Sequence, residues 1–483
     1  VRAIASAGIT GSAGSLPQNT DGTSVNNYFV PAVAATNRTC SGKWSGNFLN
    51  WASMQTIDPF RWVLTGGYRV IDESARTVVE KAWASTQGSA GSNFPDTTVT
   101  GGALIAGATP FPSSTNSLSI SVWGLGNQMR FAVPDSDGST PALSNVPTSY
   151  NGTTNSSGTV LQAFIRAQVC VASQLETNCV KYGANYKPEG LIQQYANKIR
   201  FSAFGYLNDG DLYRDGGVLR AQQKFVGPMM PVPGSMPVAN AKGVPLGQTG
   251  TPQTTAAEWS ATTGVMTLNP DADDAANTAG IMGLTSPITN SGVMNYLNKF
   301  GQSAQSYKTY DNVSELYYAA LRYFKNLEKV PEWTAVPAGT SQPTIATWTD
   351  GFPVITAPPD PILYSCQRNF VLGIGDVHTW NDKNVPHASA SLATGEPNPM
   401  PSKVSGDTSV DAVLRTNQVG VMEGLGASAG TTSPWGGCCG NNSALIAGLA
   451  YDAHIQDIRG RPVSKALPVP QTIDTYWVDV QEG

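Results

Sequence analysis

The sequence predicts an α/β chain whose core is a doubly wound, mostly parallel sheet that carries large β-rich and irregular insertions. Two observations in the second half carry this prediction. Helix-like and strand-like segments alternate there, which is the order that places parallel strands between helices. The run NFVLGIGD, Asn369 to Asp376, is apolar at both odd and even positions, as expected of a parallel strand that is buried on both faces.

The N-terminal part is expected to open with a loop and then enter the core. Residues 1–39 are rich in Gly, Ser, Asn and Ala and predict an arm or loop. Residues 40–84 are predicted to start the core. A helical segment over 45–65 should split at Asp58-Pro59, because Asp suits a helix cap and Pro suits the first helical position.

The middle of the chain alternates between insertions and core strands. Residues 85–160 are rich in Gly, Ser, Thr and Pro with short β-like runs, and they predict a β-rich insertion. Residues 161–225 are predicted to supply core strands. Residues 226–305 contain many Pro and Gly residues and predict an irregular insertion.

Residues 306–483 are predicted to form the C-terminal half of the core. Apolar residues at helical spacing predict a helix over 312–328, with Asp311 or Ser314 as its cap. A Gly-rich loop is expected to lead into a helix over 443–457. The closing run IDTYWVDV has the composition of a strand.

Composition restricts the functional class. Charged residues make up 13% of the chain, against about 25% in a typical soluble protein. The net charge of −5 offers no basic surface for nucleic acid, and no run of 18 apolar residues predicts a transmembrane helix. This profile is typical of a secreted, loop-rich surface protein.

Six cysteines indicate an oxidising compartment. They are Cys40, Cys170, Cys179, Cys366, Cys438 and Cys439. Cys170 and Cys179 lie nine residues apart and suit a local disulfide. Adjacent cysteines rarely bond each other without strain, so Cys438 or Cys439 is expected to reach Cys40 or Cys366. Six cysteines allow 15 complete pairings, and the spacing does not select one.

Four long segments stand in order along the chain. They are CSGKWSGNFLNWASMQTIDPFRWVLTGG (40–67), RFSAFGYLNDGDLYRDGGVLRAQQKFVGP (200–228), SELYYAALRYFKNL (314–327) and CQRNFVLGIGDVHTWNDKNVP (366–386). In this order they resemble the PilC/PilY family of type IV pilus tip-associated adhesins. The resemblance implies that the core is a von Willebrand factor A-like domain, the N-terminal region of that family.

The resemblance also implies a function. The chain is expected to act in pilus assembly or priming and in adhesion to surfaces or host cells, without enzymatic activity. It would lie outside the cell at the pilus tip after export through the periplasm. The implied partners are minor pilins, a receptor on a host or abiotic surface, and the family's C-terminal β-propeller, which this sequence lacks.

A divalent-cation site is implied by the same resemblance. Asp376 corresponds to the third loop of the metal-ion-dependent adhesion site, and Thr309, Asp311 or Ser314 corresponds to the second. Oxygen ligands of this kind suit Mg²⁺ or Ca²⁺. The Asp-x-Ser-x-Ser motif of the first loop does not occur in the sequence, so the expected site is incomplete. The alternative is that Asp376 only caps a loop.

A second candidate cation site contains Asp209, Asp211 and Asp215 in the run NDGDLYRDGG. Alternating acids in a turn can surround Ca²⁺, but an EF-hand loop needs Gly at its sixth position and this run has Arg214 there. An Asp/Gly turn with local hydrogen bonds is therefore the favoured interpretation.

The rival hypothesis is a secreted carbohydrate-binding protein or hydrolase. Gly426, Ser428 and Gly430 match the Gly-x-Ser-x-Gly elbow, which needs a preceding strand and a later Asp and His. The run lies in a Gly-rich loop, and His454 follows Asp452 by only two residues. A loop is therefore favoured over a nucleophile. The 11 Trp and 17 Tyr residues leave aromatic surface binding as an open alternative.

Overall fold

The computed structural model describes most of the chain. The described residues are 2–6, 28–35, 37–40, 42–85, 94, 96–134, 153–155, 158–207, 214–230, 251–252, 256–283, 287–302, 308, 310–334, 351–376, 378–434, 439–460 and 466–480.

The described residues form strands and short helices. The strands are β1 (Arg2–Ser6), β2 (Phe29–Ala34), β3 (Trp44–Ser45), β4 (Arg69–Glu73), β5 (Arg76–Glu80), β6 (Thr97–Thr100), β7 (Ser117–Ser121), β8 (Gln128–Pro134), β9 (Thr153–Asn155), β10 (Gly158–Phe164), β11 (Arg166–Val169), β12 (Cys179–Tyr182), β13 (Asn185–Pro188), β14 (Phe201–Gly205), β15 (Val218–Lys224), β16 (Met229–Met230), β17 (Thr251–Pro252), β18 (Asn369–Gly375) and β19 (Ile473–Asp479). The helices are α1 (Gly46–Ser53), α2 (Ile57–Thr65), α3 (Gly102–Ala108), α4 (Leu191–Gln194), α5 (Ala272–Met282), α6 (Val293–Lys299), α7 (Val313–Phe324), α8 (Pro331–Thr334), α9 (Ser402–Ser405), α10 (Ala412–Met422) and α11 (Leu445–Ile455).

The chain divides into two compact units. Unit 1 contains Val1–Ile199, Phe225–Leu268 and Leu297–Ser306, and unit 2 contains Arg200–Lys224, Asn269–Tyr296 and Tyr307–Gly483. This division differs from the predicted segments, because residues 40–84 fall in unit 1 whereas residues 307–483 fall in unit 2. The predicted core strands over 161–225 are also divided, with β11 in unit 1 and β14 and β15 in unit 2.

Unit 1 contains two larger sheets. One has the order β3-β1-β2-β11-β5-β4, in which β2 and β11 run parallel and the other neighbours antiparallel. The other, β6-β7-β8-β10-β9, is antiparallel and corresponds to the predicted β-rich insertion. Trp44 is buried among Phe29, Phe48, Phe111 and Phe131, so aromatic packing forms the centre of this unit.

The prediction of an N-terminal loop over residues 1–39 is wrong for β1 and β2. These strands pair antiparallel, and Phe29 on β2 is buried. The run FVPAVA around Phe29 is apolar, so it can form a strand despite its Gly-rich and Asn-rich surroundings.

The predicted helical segment over 45–65 does split, but at residues 54–56 rather than at Asp58-Pro59. Thr56 precedes α2, and Asp58 lies within its first turn. The Asp58 carboxylate accepts hydrogen bonds from the amides of Gln55 (2.9 Å) and Ala82 (2.7 Å). It therefore binds chain outside the helix, and the prediction that it caps the helix is wrong.

Unit 2 is built around a parallel strand pair. β18 and β19 run parallel over their whole length, and α7, α10 and α11 belong to the same unit. The core beneath them includes Tyr318, Leu321, Leu449 and Ile473. The parallel direction predicted for β18 is confirmed, and the wider von Willebrand factor A-like sheet stays a prediction.

The predicted burial of β18 on both faces is wrong. Its side chains alternate in exposure, and Leu372 is 53% exposed. Tyr476 on β19 is 60% exposed and lies directly opposite Leu372 in the register. One face of the pair therefore packs on the core and the other carries apolar side chains at the surface.

Two helices occur where the sequence predicts none. The region over 226–305, predicted to be irregular, contains α5 and α6. Asp273 and Asp274 lie in the first turn of α5, where acidic side chains favour helix formation. Among the described residues, no helix has both the length and the apolarity needed to cross a bilayer.

Candidate functional site

Four carboxyl groups approach one another in the interior of unit 2. They belong to Asp215 before β15, Glu315 in the first turn of α7, and Asp382 and Glu396 in the long segment after β18. Asp215, Glu315 and Asp382 are buried, and Glu396 is half-buried. We refer to these four residues as the acid cluster.

Asp382 caps the start of α7 from a distant part of the chain. Its carboxylate accepts hydrogen bonds from the Ser314 amide (2.7 Å), the Ser314 hydroxyl (2.6 Å) and the Ser443 hydroxyl (2.9 Å). The first amides of a helix have no partner inside the helix, so a carboxylate there satisfies them. Burial nevertheless raises the Asp382 pKa to about 7, against the opposing effect of these donors.

The cap of α7 was predicted to be Asp311 or Ser314, and this prediction is wrong. Asn312 occupies the cap position, and its side chain makes no capping hydrogen bond. Ser314 instead lies inside the helix and donates to Asp382. Asp382 takes over the capping function from 68 residues further along the chain, which no local pattern predicts.

Glu315 is fully buried and joins two other segments. Its carboxylate accepts hydrogen bonds from the amides of Gly216 (2.8 Å) and Asn384 (3.0 Å). Burial raises its pKa well above the ordinary value, and the negative charges of Asp215, Asp382 and Glu396 raise it further. Glu315 therefore favours a bound proton or a compensating positive charge.

Amide side chains hold Asp215. Its two carboxylate oxygens accept hydrogen bonds from the Asn384 side-chain amide (2.7 Å) and the Asn398 side-chain amide (3.0 Å). Those partners lie 169 and 183 residues away in sequence. The expectation of an Asp/Gly turn with only local bonds is therefore wrong for Asp215, while Asp209 and Asp211 lie outside the described residues.

Glu396 completes the cluster. One carboxylate oxygen accepts a hydrogen bond from the Lys383 amide (3.1 Å). Burial raises its pKa to about 8, and the charges of Asp215 and Asp382 contribute in the same direction. The positive charge of Lys383 opposes this shift but does not cancel it.

Three buried oxygens in the acid cluster or on its neighbouring segments have no hydrogen-bond partner: Glu396 Oε2, Asn384 Oδ1 and Asn312 Oδ1. Asn312 and Asn384 are fully buried, so bulk water does not satisfy these oxygens. Buried acceptors without donors are costly, and they match either a proton or a cation.

The cation site implied by the family resemblance stays a prediction, and the structure describes the contacts of three of its four residues. The Asp376 carboxylate accepts a hydrogen bond from the His378 amide (2.9 Å), which is the loop-capping alternative. Asp311 accepts a bond from the Trp380 amide through its backbone carbonyl (3.1 Å), and Ser314 belongs to the acid cluster. Thr309 lies outside the described residues.

In the described part of the chain, one group of three side chains has potential metal-ligand atoms within 4.8 Å of one another. It contains Cys170, Glu176 and Cys179. Cys170 and Cys179 form a disulfide, as predicted, so their sulfurs are not metal ligands.

The predicted pairing of Cys438 or Cys439 with Cys40 or Cys366 is wrong. Cys40 is a buried free thiol and Cys366 is an exposed free thiol, so neither bonds Cys438 or Cys439. Cys439 is disulfide-bonded. Cys438 lies outside the described residues.

The Gly-x-Ser-x-Gly segment lacks the context of a nucleophile elbow. It follows helix α10 rather than a strand, and the Ser428 carbonyl closes a turn by accepting the Thr431 amide (2.9 Å). His454 Nδ1 lies 2.9 Å from Asp474, at the surface. The favoured loop interpretation agrees with this arrangement.

Sequence reasoning missed Glu315, Asp382 and Glu396. A weak signal existed in the polar run Asn381 to Asn384, which lies inside the quoted segment 366–386. Glu315 also stands three residues before Tyr318, on the face of α7 that is buried. Neither signal predicts that the three carboxyl groups meet.

Comparisons with known proteins point to one family. A family model described as "PilY1 homolog, small alpha/beta domain" matches residues 23–144. A curated Xylella fastidiosa protein named "Type IV pilus biogenesis factor PilY1 homolog" is 42% identical over 94% of this chain. A second protein with the same name and organism is 30% identical over 39% of this chain.

The chain spans only part of these relatives. The matched regions are 36% of the first relative and 14% of the second. No solved structure matches the chain.

Proposed function

The chain belongs to the PilY1 family, and from this premise we propose that it acts in the biogenesis of type IV pili. The observation that carries the proposal is the 42% identity, over 94% of the chain, with a protein named as a type IV pilus biogenesis factor. That match covers 36% of the relative, so this chain would perform part of the relative's function. The role is structural rather than catalytic.

The chain acts outside the cell, at the pilus tip. There it contacts minor pilins, helps to prime pilus assembly, and attaches the pilus to a host or abiotic surface. The low charge content and the Cys170–Cys179 disulfide support an extracellular location. The family's β-propeller region is a further partner in a full-length protein.

Unit 2 represents part of a von Willebrand factor A-like domain. The parallel pair β18–β19, together with α7, α10 and α11 in the same unit, supports this proposal. In open parallel sheets, ligands bind beyond the carboxyl ends of the strands. Asp376 follows β18 at such an end, so a divalent cation there remains part of the proposal.

The acid cluster is the functional site of unit 2. It fixes the start of α7 to the segment after β18 through Asp382 and Glu315. A surface protein that transmits force or contacts other subunits depends on such fixed connections between its segments. The cluster thereby holds the loops that follow β18 in one conformation, so that they present the same surface to a partner.

A second candidate function is carbohydrate binding. Trp51 on α1 is 61% exposed and Trp62 on α2 is 52% exposed. Tryptophan is enriched at interaction surfaces, because its side chain combines a large apolar body with one polar N–H group. Binding to a glycan panel that is lost in both Trp51→Ala and Trp62→Ala would favour this function.

The experiment for pilus biogenesis is deletion of the encoding gene followed by counting of sheared surface pili. The proposal predicts loss of pili, with restoration by the intact gene. Unchanged pilus number and unchanged attachment to surfaces would contradict it.

A further inference from the structure

We propose that a cavity in unit 2 binds the C-terminal residue of a partner polypeptide, with the aliphatic side chain inside and the carboxylate on Lys329. The cavity lies among β14, β15, α7, α8 and residues 355–358, which all belong to unit 2. Its volume is about 50 Å³. The proposal goes beyond pilus biogenesis and holds whether or not the chain serves it.

The walls of the cavity are largely apolar. Leu219 on β15, Tyr323 on α7 and Ile355 belong to one cluster of buried residues, against which Phe204 packs. The Ile355 amide donates to the Leu219 carbonyl (3.0 Å), so the two walls are held together. An apolar group that enters such a space leaves water without losing a hydrogen bond, which favours its binding.

The size of the cavity limits that group to one small side chain. A water molecule needs about 10–15 Å³ of such space, so the cavity accommodates roughly three to five non-hydrogen atoms. The aliphatic side chains of valine and leucine have this size. So few atoms contribute little affinity by themselves. The rest of the ligand must therefore contact the surface around the opening, as a polypeptide does.

The charged side chains at the cavity favour an anion. Arg322 and Lys329 line it, and none of its lining residues is acidic. The Arg322 guanidinium already donates to the Glu328 carbonyl (2.7 Å) and to the Tyr318 hydroxyl (3.0 Å). The Lys329 ammonium has no hydrogen-bond or ion-pair partner in the described part of the chain, because the neighbouring Glu328 carboxylate binds Lys403. Lys329 is therefore the cation that is available to a ligand.

A carboxylate suits the surroundings of Lys329 and Trp333. Lys329 is half-buried, and burial lowers its pKa, so a negative charge beside the ammonium would stabilise it. Trp333 also lines the cavity, is 2% exposed, and has no acceptor for its Nε1–H. A buried N–H group without an acceptor is costly. Both observations favour a ligand that carries oxygen atoms over a pure hydrocarbon.

The C-terminus of a polypeptide combines these features in one residue. Its carboxylate and its side chain share one carbon atom, so an aliphatic side chain in the cavity leaves the carboxylate at the rim. An internal acidic residue carries its carboxylate on a different side chain from the aliphatic group. Capture of a free terminal carboxylate is a recurring mode of peptide recognition. The cavity thus fits a chain that ends in valine or leucine.

The test is an NMR titration of the full 483-residue chain with isotope-labelled tryptophan, in which each indole N–H group gives one signal. Trp333→Phe identifies the Trp333 signal by its loss. The probes are the acetylated peptide Ser-Gly-Ser-Gly-Leu with a free carboxylate, the same peptide with a C-terminal amide, and the same peptide with serine in place of leucine.

Three variants accompany the probes. Lys329→Met removes the proposed cation and keeps a side chain of similar shape. Lys181→Met changes an exposed lysine of unit 1 and is the matched control. Ala319→Leu fills the cavity from α7. Unchanged signals from the other tryptophans would show that each variant folds.

We expect the free-acid leucine peptide to shift the Trp333 signal at millimolar concentration. The amide should bind about tenfold or more weakly, because a hydrogen bond between charged groups is lost. Lys329→Met should weaken binding of the free acid by a similar factor, and Ala319→Leu should abolish the shift. The serine peptide should bind more weakly than the leucine peptide, and Lys181→Met should bind as the wild type does.

Three results would overturn the proposal. One is a Trp333 signal that no peptide shifts at millimolar concentration. Another is equal binding of the free acid and the amide, which would show that the carboxylate is not recognised. The third is binding of the free acid that Lys329→Met leaves unchanged, which would place the carboxylate on another group.

Discussion

Ser314 donates both its backbone amide and its hydroxyl to the Asp382 carboxylate, at 2.7 Å and 2.6 Å. The two residues are 68 positions apart and both are fully buried. A side chain from the segment after β18 thus serves as the cap of α7. This contact explains why α7 begins where it does, although its own cap residue makes no side-chain hydrogen bond.

Ser314→Ala is expected to destabilise the chain. The substitution removes one charge-assisted donor from a buried carboxylate, so we expect a loss of about 1–3 kcal/mol in the free energy of unfolding. Urea denaturation would measure it. Ser405→Ala, at the exposed serine that ends α9, is the matched control and should change stability by less than about 0.5 kcal/mol. Equal effects in both variants would contradict the capping assignment.

The raised pKa values in the acid cluster predict that, with no cation bound, the free energy of unfolding falls as pH rises. Folding raises the pKa of Asp382 to about 7 and that of Glu396 to about 8, whereas unfolded carboxyl groups titrate near pH 4. Between about pH 4 and pH 8 the folded chain therefore holds more protons than the unfolded chain. The free energy of unfolding should decrease as pH rises through this window.

Glu396→Gln tests which group causes the decrease. The variant removes the titration nearest pH 8, so we expect it to be more stable than the wild type at pH 8.5, by about 1–3 kcal/mol. Thermal unfolding in EDTA from pH 5 to pH 9 provides the measurement. Glu423→Gln should reproduce the wild-type profile. An unchanged slope in Glu396→Gln would show that Glu396 does not titrate in this range.

Replacement of two tryptophans of unit 1 should have sharply different effects on the free energy of unfolding. Trp44 is 2% exposed among four phenylalanines, and Trp51 is 61% exposed on α1. Trp44→Ala should cost about 3–5 kcal/mol because it leaves a cavity in the core of unit 1. Trp51→Ala should change the free energy of unfolding by less than about 0.5 kcal/mol. A comparable loss in both variants would contradict the packing of unit 1.

The Cys170–Cys179 disulfide closes a short loop with a sequence separation of nine residues. Restriction of the unfolded chain by a loop of this length predicts a loss of about 2–3 kcal/mol in the double variant Cys170→Ser, Cys179→Ser. Urea unfolding without reductant gives the value. Cys366→Ser, which removes an exposed free thiol, is the control and should be neutral. A neutral double variant would contradict a stabilising disulfide.

Patterns that depend on neighbouring residues were predictable from the sequence. The apolar spacing of α7, the strand at Asn369–Gly375 and the local Cys170–Cys179 disulfide are all confirmed. Each is determined by residues within about a dozen positions, where periodicity and spacing are informative. Boundaries were less accurate, as the position of the break before α2 illustrates.

Features that depend on distant residues were not predictable. Asp382 caps α7 from the far side of a long segment, and Asp215 binds amides more than 160 positions away. The apolar residues of β18 suggested burial on both faces, yet Leu372 is exposed, because apolar composition alone does not determine which face is covered. Charge spacing in sequence likewise does not indicate which carboxyl groups converge in the fold.

The central claim is that the acid cluster serves pilus biogenesis. Its most direct test is to count sheared surface pili in a gene-deletion strain that is complemented with each variant at equal protein level. We predict that the wild type and Glu423→Gln restore pili, while Ser314→Ala, which removes the hydroxyl donor from Asp382, restores markedly fewer. Full restoration by Ser314→Ala in a strain that lacks pili without complementation would contradict the claim.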